Sequence, residues 1–442
     1  MAKAKFFLLN LGCPKNLVDS EKLSLELMKL GLSPSTDPQN SDVVIVNTCG
    51  FIDSARKMTE YYVRKLRNQS EGKLIVMGCY PKRVGLENVN LPYDYVAGTI
   101  EETLEITENI FKKRLRKTKQ NSEIKKNIEI QRIKRINTLS RFSAYLKISE
   151  GCSRLCTFCS IPKIRGPLQS LGEKQILEEA NYLAEAGVKE LVIISQDTTM
   201  WNVDKGGKRE DIFRLLDKIS EIEGIEWIRL FYIYPDRFSI SLINYISQNP
   251  KIVRYIEMPF QHIDDQILAN MARATREKLA YEILENIRTK IPEMAIRTEL
   301  IVGFPGETDE KFQKLMKFVE EFKFDWLGVF EFSPEKGTPS YKMWEQNQVP
   351  KKTVKERKKE LMKLWNEIFK RKQSEKIGKI FKCIYESENT YRAYFQAPEI
   401  DGTVKIWQRQ KNSGQNGFSR SFEYIKIEKV DGENLLGEFV NV

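Results

Sequence analysis

Three cysteines stand within eight residues of one another near the middle of this chain. Cys152, Cys156 and Cys159 are separated by three residues and then by two. Thiolates hold iron–sulfur clusters, and a set of three leaves the fourth iron of a cubane open to an outside ligand. Zinc also accepts thiolates, but a structural zinc site completes its four ligands with another Cys or His, and none follows nearby. The spacing therefore predicts a catalytic 4Fe–4S cluster.

A second set of cysteines is spread along the N-terminal part of the chain. Cys13, Cys49 and Cys79 each follow a predicted apolar strand, and each has a glycine beside it. Because the carboxyl ends of parallel strands meet at one edge of a sheet, we expect these three loops to converge. Three unrelated buried cysteines are the alternative, but the repeated placement favours a second three-thiolate site. Cys383 has no such partners and is predicted to be structural.

The N-terminal region, residues 1–111, alternates apolar strands with helices. Strands are predicted in the opening sequence KFFLLNLG and at 42–46 and 73–77, and a helix is predicted over 19–30. Strands that alternate with helices are typical of a parallel sheet. We therefore expect a Rossmann-like α/β domain.

Residues 112–140 are predicted to be a basic linker. From Lys112 to Arg141 the sequence has twelve Lys and Arg against two Asp and Glu, a net charge of +10 in a chain whose total is +11. Such a segment favours contact with nucleic acid or another anionic partner, although a solvated linker is the commoner explanation of a charge run.

The central region, residues 141–372, repeats a strand–helix unit. Six strands are predicted, at 145–149, 191–195, 227–232, 255–258, 298–302 and 326–332. A helix after the first strand should begin with a capping box of Ser170 and Glu173 and end at Gly187. Six parallel strands with crossover helices predict a partial (βα)6 barrel of the TIM type, with its chemistry at the carboxyl ends of the strands. Residues 373–442 have short strands between turn sequences, which predicts a small antiparallel β-barrel.

Several residues at the predicted strand ends are candidates for the site. Gln196 follows the second barrel strand, and Gly303 and Gly306 follow the fifth. Glycines there would let the backbone approach a cofactor, although a plain strand-to-helix turn also uses them. His262, the one histidine of the chain, follows the fourth strand. A lone histidine is usually a satisfied polar group, but its position on the active face makes it a candidate for catalysis.

The spacing of the central cysteines, with Phe158 before the last of them, resembles that of the radical S-adenosylmethionine superfamily. The resemblance implies that the methionine amino and carboxylate groups chelate the open iron. It also implies that electron transfer yields a 5′-deoxyadenosyl radical and that Phe158 lies near the adenine. Where the superfamily often has Gly-Gly-Glu to hold the methionine amine, this chain has Ser195-Gln196-Asp197, so Gln196 is expected in that role.

The whole chain resembles the methylthiotransferases of this superfamily, which combine an N-terminal cluster domain, a radical barrel and a C-terminal TRAM domain. LGCPKNLVDSE around Cys13 and YRAYFQAPEIDG from Tyr391 to Gly402 resemble the members that modify small-subunit ribosomal protein S-twelve. The resemblance implies that a methylthio group is added to the β-carbon of one aspartate. It further implies that an auxiliary 4Fe–4S cluster on Cys13, Cys49 and Cys79 delivers sulfur already methylated by a second S-adenosylmethionine.

The charge of the C-terminal region bears on the substrate. Residues 376–442 have ten Lys and Arg and nine Asp and Glu, a net of +1. A TRAM domain that grips RNA should be basic, so a protein substrate is favoured. A tRNA methylthiotransferase acting on a modified adenosine near the anticodon is the alternative, and a non-catalytic metal-binding scaffold is a third class.

The remaining expectations concern partners and location. No apolar run reaches the roughly 18 residues that a membrane helix needs, so a cytoplasmic protein without membrane contact is expected. A reductant such as flavodoxin or ferredoxin and a monomeric state are also expected. The basic linker would contact ribosomal RNA if the substrate is taken on the ribosome.

Overall fold

The computed structural model describes residues 3–119, 134–407 and 420–441. The chain divides into two compact units. The first is Met1–Thr138 with Glu150–Arg154 and Ser160–Gln169; the second is Leu139–Ser149 with Leu155–Cys159 and Ser170–Val442. The central cysteine loop therefore contributes to both units. Across the described stretches, no helix is long and apolar enough to cross a membrane.

The first unit is built on a parallel sheet. Its strands are β1 (Lys5–Asn10), β2 (Ser33–Pro34), β3 (Val43–Thr48), β4 (Lys73–Gly78) and β5 (Tyr95–Ala97). Its helices are α1 (Pro14–Lys29), α2 (Asp53–Gln69), α3 (Cys79–Val84), α4 (Ile100–Lys119) and α5 (Ile161–Arg165), with a 3-10 turn at Leu86–Asn88. The strand order is β2-β1-β3-β4-β5, and every pair is parallel. The predicted Rossmann-like domain is confirmed.

Helix α1 begins earlier than the sequence pattern predicts. It starts at Pro14, directly after Cys13, rather than near residue 19. Proline suits the first helical position because its fixed φ is already helical and its missing N–H would be unpaired there. The earlier start places Cys13 at the junction between β1 and α1.

The region predicted to be a linker has structure at both ends. Helix α4 continues to Lys119, and residues 120–133 lie outside the described residues. After them the chain returns to α1: Arg135 is buried and forms an ion pair with Glu21 at 3.0 Å. The backbone N–H and hydroxyl of Thr138 donate to the same carboxylate at 2.6 and 2.7 Å. The linker bounds of 112–140 stay a prediction.

The second unit has a six-stranded parallel sheet. Its strands are β6 (Ser143–Lys147), β9 (Glu190–Ile194), β10 (Trp227–Leu230), β11 (Ile252–Glu257), β12 (Ala295–Val302) and β13 (Trp326–Glu331). Two short strands, β7 (Ser149–Glu150) and β8 (Gln169–Ser170), pair with each other in a separate sheet; in sequence, one precedes and the other follows the cysteine loop. Neighbours in the six-stranded sheet follow chain order, β6-β9-β10-β11-β12-β13, and all pairs are parallel. The predicted partial (βα)6 barrel is confirmed.

Helices connect these strands. They are α6 (Glu173–Glu185), α7 (Asp211–Ser220), α8 (Phe238–Gln248), α9 (Asp265–Asn270), α10 (Glu277–Lys290), α11 (Asp309–Phe322), α12 (Pro339–Gln346) and α13 (Lys351–Ser374), with 3-10 turns at Thr198–Met200 and Val203–Lys205. The predicted capping box is wrong. Helix α6 is capped by Gly172, because Ser170 binds Asp204 and Glu173 pairs with a lysine of α7. Gly187, with φ of +96°, follows the end of the helix as predicted.

The C-terminal part of this unit is a closed five-stranded barrel. Its strands are β14 (Ile380–Ser387), β15 (Thr390–Ala393), β16 (Val404–Ile406), β17 (Phe422–Asp431) and β18 (Asn434–Phe439). The order is β14-β15-β16-β18-β17, with β17 paired back to β14. The pairs are antiparallel, as predicted, except that β16 and β18 run parallel where the barrel joins two strands that are not consecutive.

Buried charges join the two barrels of this unit. Glu190, at the start of β9, accepts from Arg229 Nε at 2.8 Å and is paired with Arg392 of β15. Burial acts to raise the pKa of Glu190, but the two guanidinium groups outweigh it and lower the pKa to about 2. Arg229 also donates to the carbonyl of Tyr394 at 2.8 Å, and Arg297 pairs with Asp401. The C-terminal barrel therefore covers the amino ends of the parallel strands, opposite to the edge where their carboxyl ends lie.

Replacing Arg392 with Ala should destabilise the second unit by about 3–5 kcal/mol, because it leaves the buried Glu190 carboxylate short of a partner. Urea denaturation followed by circular dichroism measures the change. Because the folded pKa of Glu190 is depressed, its contribution is complete above about pH 4.5 and is lost as the pH falls towards 2. The deficit of the variant should therefore shrink over that range.

The matched control is Lys405→Ala, which removes an exposed cation from the same small barrel. It should change the free energy of unfolding by less than about 0.5 kcal/mol. Equal stability of the Arg392 and Lys405 variants would contradict a stabilising role for the buried charges.

Candidate functional site

The three N-terminal cysteines lie at one edge of the first unit's sheet. The strand order changes direction between β1 and β3, and ligands bind at such switch points outside the carboxyl ends of the strands. Cys13 follows β1 and precedes α1, Cys49 directly follows β3, and Cys79 begins α3 directly after β4. The structure therefore brings together the three loops that the sequence predicts to converge.

A glycine beside each cysteine allows these loops to approach closely. A Cβ at Gly50 would stand 2.7 Å from the carbonyl oxygen of Cys79, and one at Gly12 would stand 2.3 Å from Cγ of Asn16. Gly78 has φ of +95°, and a Cβ there would lie 2.4 Å from the side chain of the strand β3 residue Asn47. Gly50 and Gly78 are therefore required by a neighbouring loop and strand, and Gly12 is required by the side chain of Asn16 in α1.

The buried amide of Asn16 lies between two of the thiols. Its Oδ1 accepts from Cys13 Sγ at 3.4 Å and lies 3.9 Å from Cys79 Sγ. Its Nδ2 donates to Oδ1 of Asn47 at 3.0 Å and to the carbonyl of Thr48 at 3.1 Å. Cys13 and Cys79, which follow different strands, thus both lie within 4 Å of the Asn16 amide oxygen. Residues of β3 hold that amide in place.

One guanidinium group faces this site. Arg165 Nη2 donates to Asn16 Oδ1 at 2.6 Å, and Nη1 donates to both carboxylate oxygens of Glu150 at 2.8 Å. Burial raises the pKa of Cys79, and the charge of Arg165 offsets part of that rise. Burial also raises the pKa of Cys49, and the charges of the other two cysteines add to the effect. Cys13 and Cys79 are thus near enough to Cys49 to affect its ionisation.

These features fit an iron–sulfur cluster. All seven cysteines, each within the described part of the chain, are free thiols. No three Cys, His, Asp or Glu side chains among the described residues surround a position for a single metal ion. A cubane takes one thiolate at each of several corner irons, so its ligands are spread more widely than those of one ion. Three thiols at one sheet edge, with a cation to offset their charge, match that requirement.

The central cysteines lie on the loop between β7 and α5. Gly151 begins the loop with φ of +73°, and a Cβ there would stand 2.0 Å from the carbonyl oxygen of Pro167. Only glycine therefore permits this turn before Cys152. Further along, the N–H of Cys159 donates to the carbonyl of Cys156 at 3.1 Å. The last two cysteines thus sit on a tight turn.

Residues between these cysteines attach the loop to the second unit's barrel. The N–H of Thr157 donates to the carbonyl of Met271 at 3.1 Å, and its hydroxyl donates to that of Asn270 at 2.7 Å. The ring of Phe158 packs against an apolar cluster of buried side chains, Ile267, Met271, Ile301 and Phe304. Phe158, which the superfamily resemblance places beside the adenine, is therefore held near the carboxyl end of β12.

Arg273 is a residue that the sequence analysis missed. Its Nη1 lies 3.8 Å from Cys156 Sγ, its Nη2 donates to the carbonyl of Pro259 at 2.5 Å, and it stacks on the ring of Tyr234 at 4.0 Å. A nearby cation stabilises a thiolate. No local pattern marks Arg273, because it lies between two helices and reaches the cysteine only in the folded chain.

His262 is wholly buried beneath the strand ends. Its Nδ1 accepts from the N–H of Asp264 at 3.0 Å, which assigns the ring proton to Nε2, and Nε2 lies 3.4 Å from a carboxylate oxygen of Glu307. Arg357 donates to the other oxygen of Glu307 at 2.6 Å. These contacts support the turn after β12, and a catalytic role for His262 stays a prediction.

The predicted cofactor glycines lie in that same turn. Gly303 has φ of +79°, and a Cβ there would stand 2.4 Å from the side chain of Val354 in α13. Packing against this helix therefore accounts for Gly303. Gly306 has φ of +86°, and Gln196 is partly exposed just after β9. Cofactor binding by these three residues stays a prediction.

Three parts of the chain match known families. Residues 5–98 match Uncharacterized protein family UPF0004, residues 146–319 match the Radical SAM superfamily, and residues 377–440 match the TRAM domain. These matches cover the N-terminal sheet with its three cysteines, most of the partial barrel and the small C-terminal barrel.

Curated relatives match the chain over nearly its whole length. It is 39% identical over 422 residues to "Ribosomal protein uS12 methylthiotransferase RimO" of Clostridium tetani, covering 91% of this chain and 92% of that protein. It is 40% identical over 441 residues to the protein of the same name in Aquifex aeolicus, covering 98% and 96%. Among solved structures, the radical S-adenosylmethionine methyltransferase TsrM from Kitasatospora setae aligns with a TM-score of 0.53 over 78% of each chain. At 12% identity, that likeness shows a shared fold alone.

Replacing Gly78 with Ala should destabilise the first unit by about 1–3 kcal/mol, because the new Cβ meets Asn47 and the backbone has a positive φ. Iron retained after anaerobic reconstitution should fall as well, since Cys79 is the next residue. Thermal unfolding and iron analysis measure both effects. Gly98→Ala is the matched control in the same unit, because its φ is not positive and the nearest atom to the added Cβ is Cε of the flexible Lys82 side chain, at 3.2 Å. Full iron retention in the Gly78 variant would count against the need for this close approach.

Replacing Gly303 with Ala should destabilise the second unit by about 1–3 kcal/mol, because φ is positive and the new Cβ meets Val354. Adding Val354→Ala should recover part of that loss by removing the clash. A double-mutant cycle in urea measures the coupling between the two positions. Strictly additive effects would show that packing against α13 does not explain the glycine.

Proposed function

The chain belongs to the RimO family of ribosomal protein uS12 methylthiotransferases, and we propose that it attaches a methylthio group to the β-carbon of an aspartate in uS12. The observation that carries this proposal is the convergence of Cys13, Cys49 and Cys79 at a sheet switch point in a chain that also has a radical S-adenosylmethionine barrel. A barrel with one cysteine loop could provide radical chemistry, but replacing C–H by C–S–CH3 also requires a source of sulfur. The second set of thiols can hold one.

We further propose that the chain holds two 4Fe–4S clusters, one on Cys152, Cys156 and Cys159 and an auxiliary one on the N-terminal three. When bound, the first would supply the electron that cleaves S-adenosylmethionine, and the second would carry the sulfur that is transferred. Three thiolates at each site leave one iron open, which suits both tasks.

The chain's own residues would position these groups. Thr157 fixes the central loop through its two hydrogen bonds to α9 and the residue after it, and Phe158 offers an apolar face to the adenine. Arg273 places a positive charge beside Cys156, which favours the thiolate. Gln196 and the backbone at Gly303 and Gly306 are proposed to bind the methionine part of the cofactor. The buried side chains around Phe158 would exclude water from this part of the site.

The C-terminal barrel suits a protein substrate better than RNA. Its segment from Tyr391 to Gly402 contributes Arg392 and Asp401 to the buried contacts with the partial barrel, so this segment serves the fold. The net charge of residues 376–442 is only +1, so the region lacks the cationic excess expected of an RNA-binding domain and does not strongly repel a basic ribosomal protein.

The other proposals concern partners. A flavodoxin or ferredoxin would supply the electron, and the chain would act as a monomer in the cytoplasm. The basic segment of residues 112–140, of which 120–133 lie outside the described residues, would contact ribosomal RNA if uS12 is modified within the ribosome.

Deleting the gene should remove the methylthio group from uS12 and leave tRNA unchanged, as measured by mass spectrometry of both. The wild-type chain should restore the modification, whereas chains with either cysteine set replaced by alanine should not. Cys383→Ala is the matched control, because this seventh cysteine is buried in the C-terminal barrel and belongs to neither set, and it should restore the modification. A methylthio group lost from tRNA and kept on uS12 would instead identify a tRNA-modifying enzyme.

A further inference from the structure

We propose that Arg165 is a positioning residue for the site of Cys13, Cys49 and Cys79, where it fixes the Asn16 amide against the thiols and raises the reduction potential of the bound cluster. The inference deepens the proposed function, because it rests on these three cysteines holding an iron–sulfur cluster.

Arg165 is held from several sides. Its side chain is only 9% exposed, and its Nη1 donates to both oxygens of Glu150 at 2.8 Å and lies 3.4 Å from Oδ2 of Asp19. The residue ends the short helix α5, and Gly166 follows with φ of +78° and turns the chain away. The guanidinium group is therefore fixed in one orientation, with Nη2 directed at Asn16.

The contact with Asn16 connects Arg165 to the thiols. The Asn16 oxygen that accepts from Arg165 at 2.6 Å also accepts from Cys13 and lies near Cys79. The amide nitrogen is engaged by Asn47 and the carbonyl of Thr48, so the amide cannot rotate without losing both bonds. A guanidinium group on one side and two thiols on the other thus converge on one oxygen atom.

The charge of Arg165 and those of its carboxylate partners lie close to the site, because Glu150 contacts its guanidinium group at 2.8 Å and Asp19 at 3.4 Å. The potential of an iron–sulfur cluster depends on nearby net charge and on hydrogen bonds. A fixed cation stabilises the reduced form, which is the more negative one, so Arg165 should raise the potential and Glu150 should lower it.

The two residues also join distant parts of the chain. Glu150 and Arg165 stand on either side of the central cysteine loop in sequence, yet both belong to the first unit with Asn16. Arg165 and Asn16 are separated by 149 positions. The electrostatics of the N-terminal site therefore depends on residues that follow and precede the other three cysteines.

The test uses the full-length chain with Cys152, Cys156 and Cys159 replaced by alanine, so that only the N-terminal site can take up a cluster. Four variants are made in this background: Arg165→Gln, Arg165→Lys, Glu150→Gln and Arg371→Gln. The last is the matched control, because it makes the same change at an exposed position on α13. After anaerobic reconstitution, iron is counted, the potential is titrated by electron paramagnetic resonance, and iron loss to a chelator is timed.

We expect Arg165→Gln to lower the potential and to speed iron loss roughly tenfold or more, the usual effect of removing a residue that orients metal ligands. Arg165→Lys should keep the potential near that of the parent but still lose iron faster, because lysine retains the charge without the planar fork. Glu150→Gln should shift the potential upwards, and Arg371→Gln should leave both measurements unchanged.

Opposite shifts in the Arg165→Gln and Glu150→Gln variants support the proposal, because a general loosening of the site would move both the same way. An unchanged potential in Arg165→Gln, or a fall in both, would overturn it. If Arg165→Gln does not fold, the sign of the shift in Glu150→Gln still decides. Failure of the parent chain to take up a cluster while Arg165 is intact would overturn the N-terminal cluster itself, and this inference with it.

Discussion

The carboxyl ends of neighbouring parallel strands must lie at one edge of their sheet, and both cysteine sets depend on this constraint. In the first unit it brings together loops that start at residues 13, 49 and 79, although the chain makes two helical crossovers between them. In the second unit it places Phe158 against side chains that follow β11 and β12. The amino ends of the barrel strands make structural contacts instead, among them the buried ion pairs of Glu190 with Arg229 and Arg392.

Buried thiols impose a second requirement, which is compensation of charge. Burial raises the pKa of Cys49 and of Cys79, so their thiolates are costly without a nearby cation or metal. The first unit supplies Arg165, and the second supplies Arg273 beside Cys156. Both guanidinium groups are in turn held by acceptors of the fold, which keeps the positive charge at a fixed distance. A fixed guanidinium group thus lies beside thiols in each of the two units.

Sequence periodicity predicts the sheets well, because the spacing of apolar residues along a short stretch of chain distinguishes strands from helices. It also predicts the convergence of Cys13, Cys49 and Cys79, which needs only strand order and direction. Asn16, Arg165 and Arg273 could not be found in this way, since each acts through contacts between distant segments. The capping box failed for a similar reason: Ser170 has a partner in Asp204, 34 positions away. The position of Gly303 after a barrel strand predicts close approach of a cofactor, but in the fold it is the side chain of Val354 that a Cβ at this position would meet.

We propose that one chain holds two separate clusters, each on three thiolates. Iron counted after anaerobic reconstitution tests it most directly, with each cysteine set replaced by alanine in turn. The wild-type chain should hold about eight irons and either triple variant about four, because each cubane has four. About four irons in the wild-type chain, unaffected by replacing Cys13, Cys49 and Cys79, would show that these three cysteines hold no cluster.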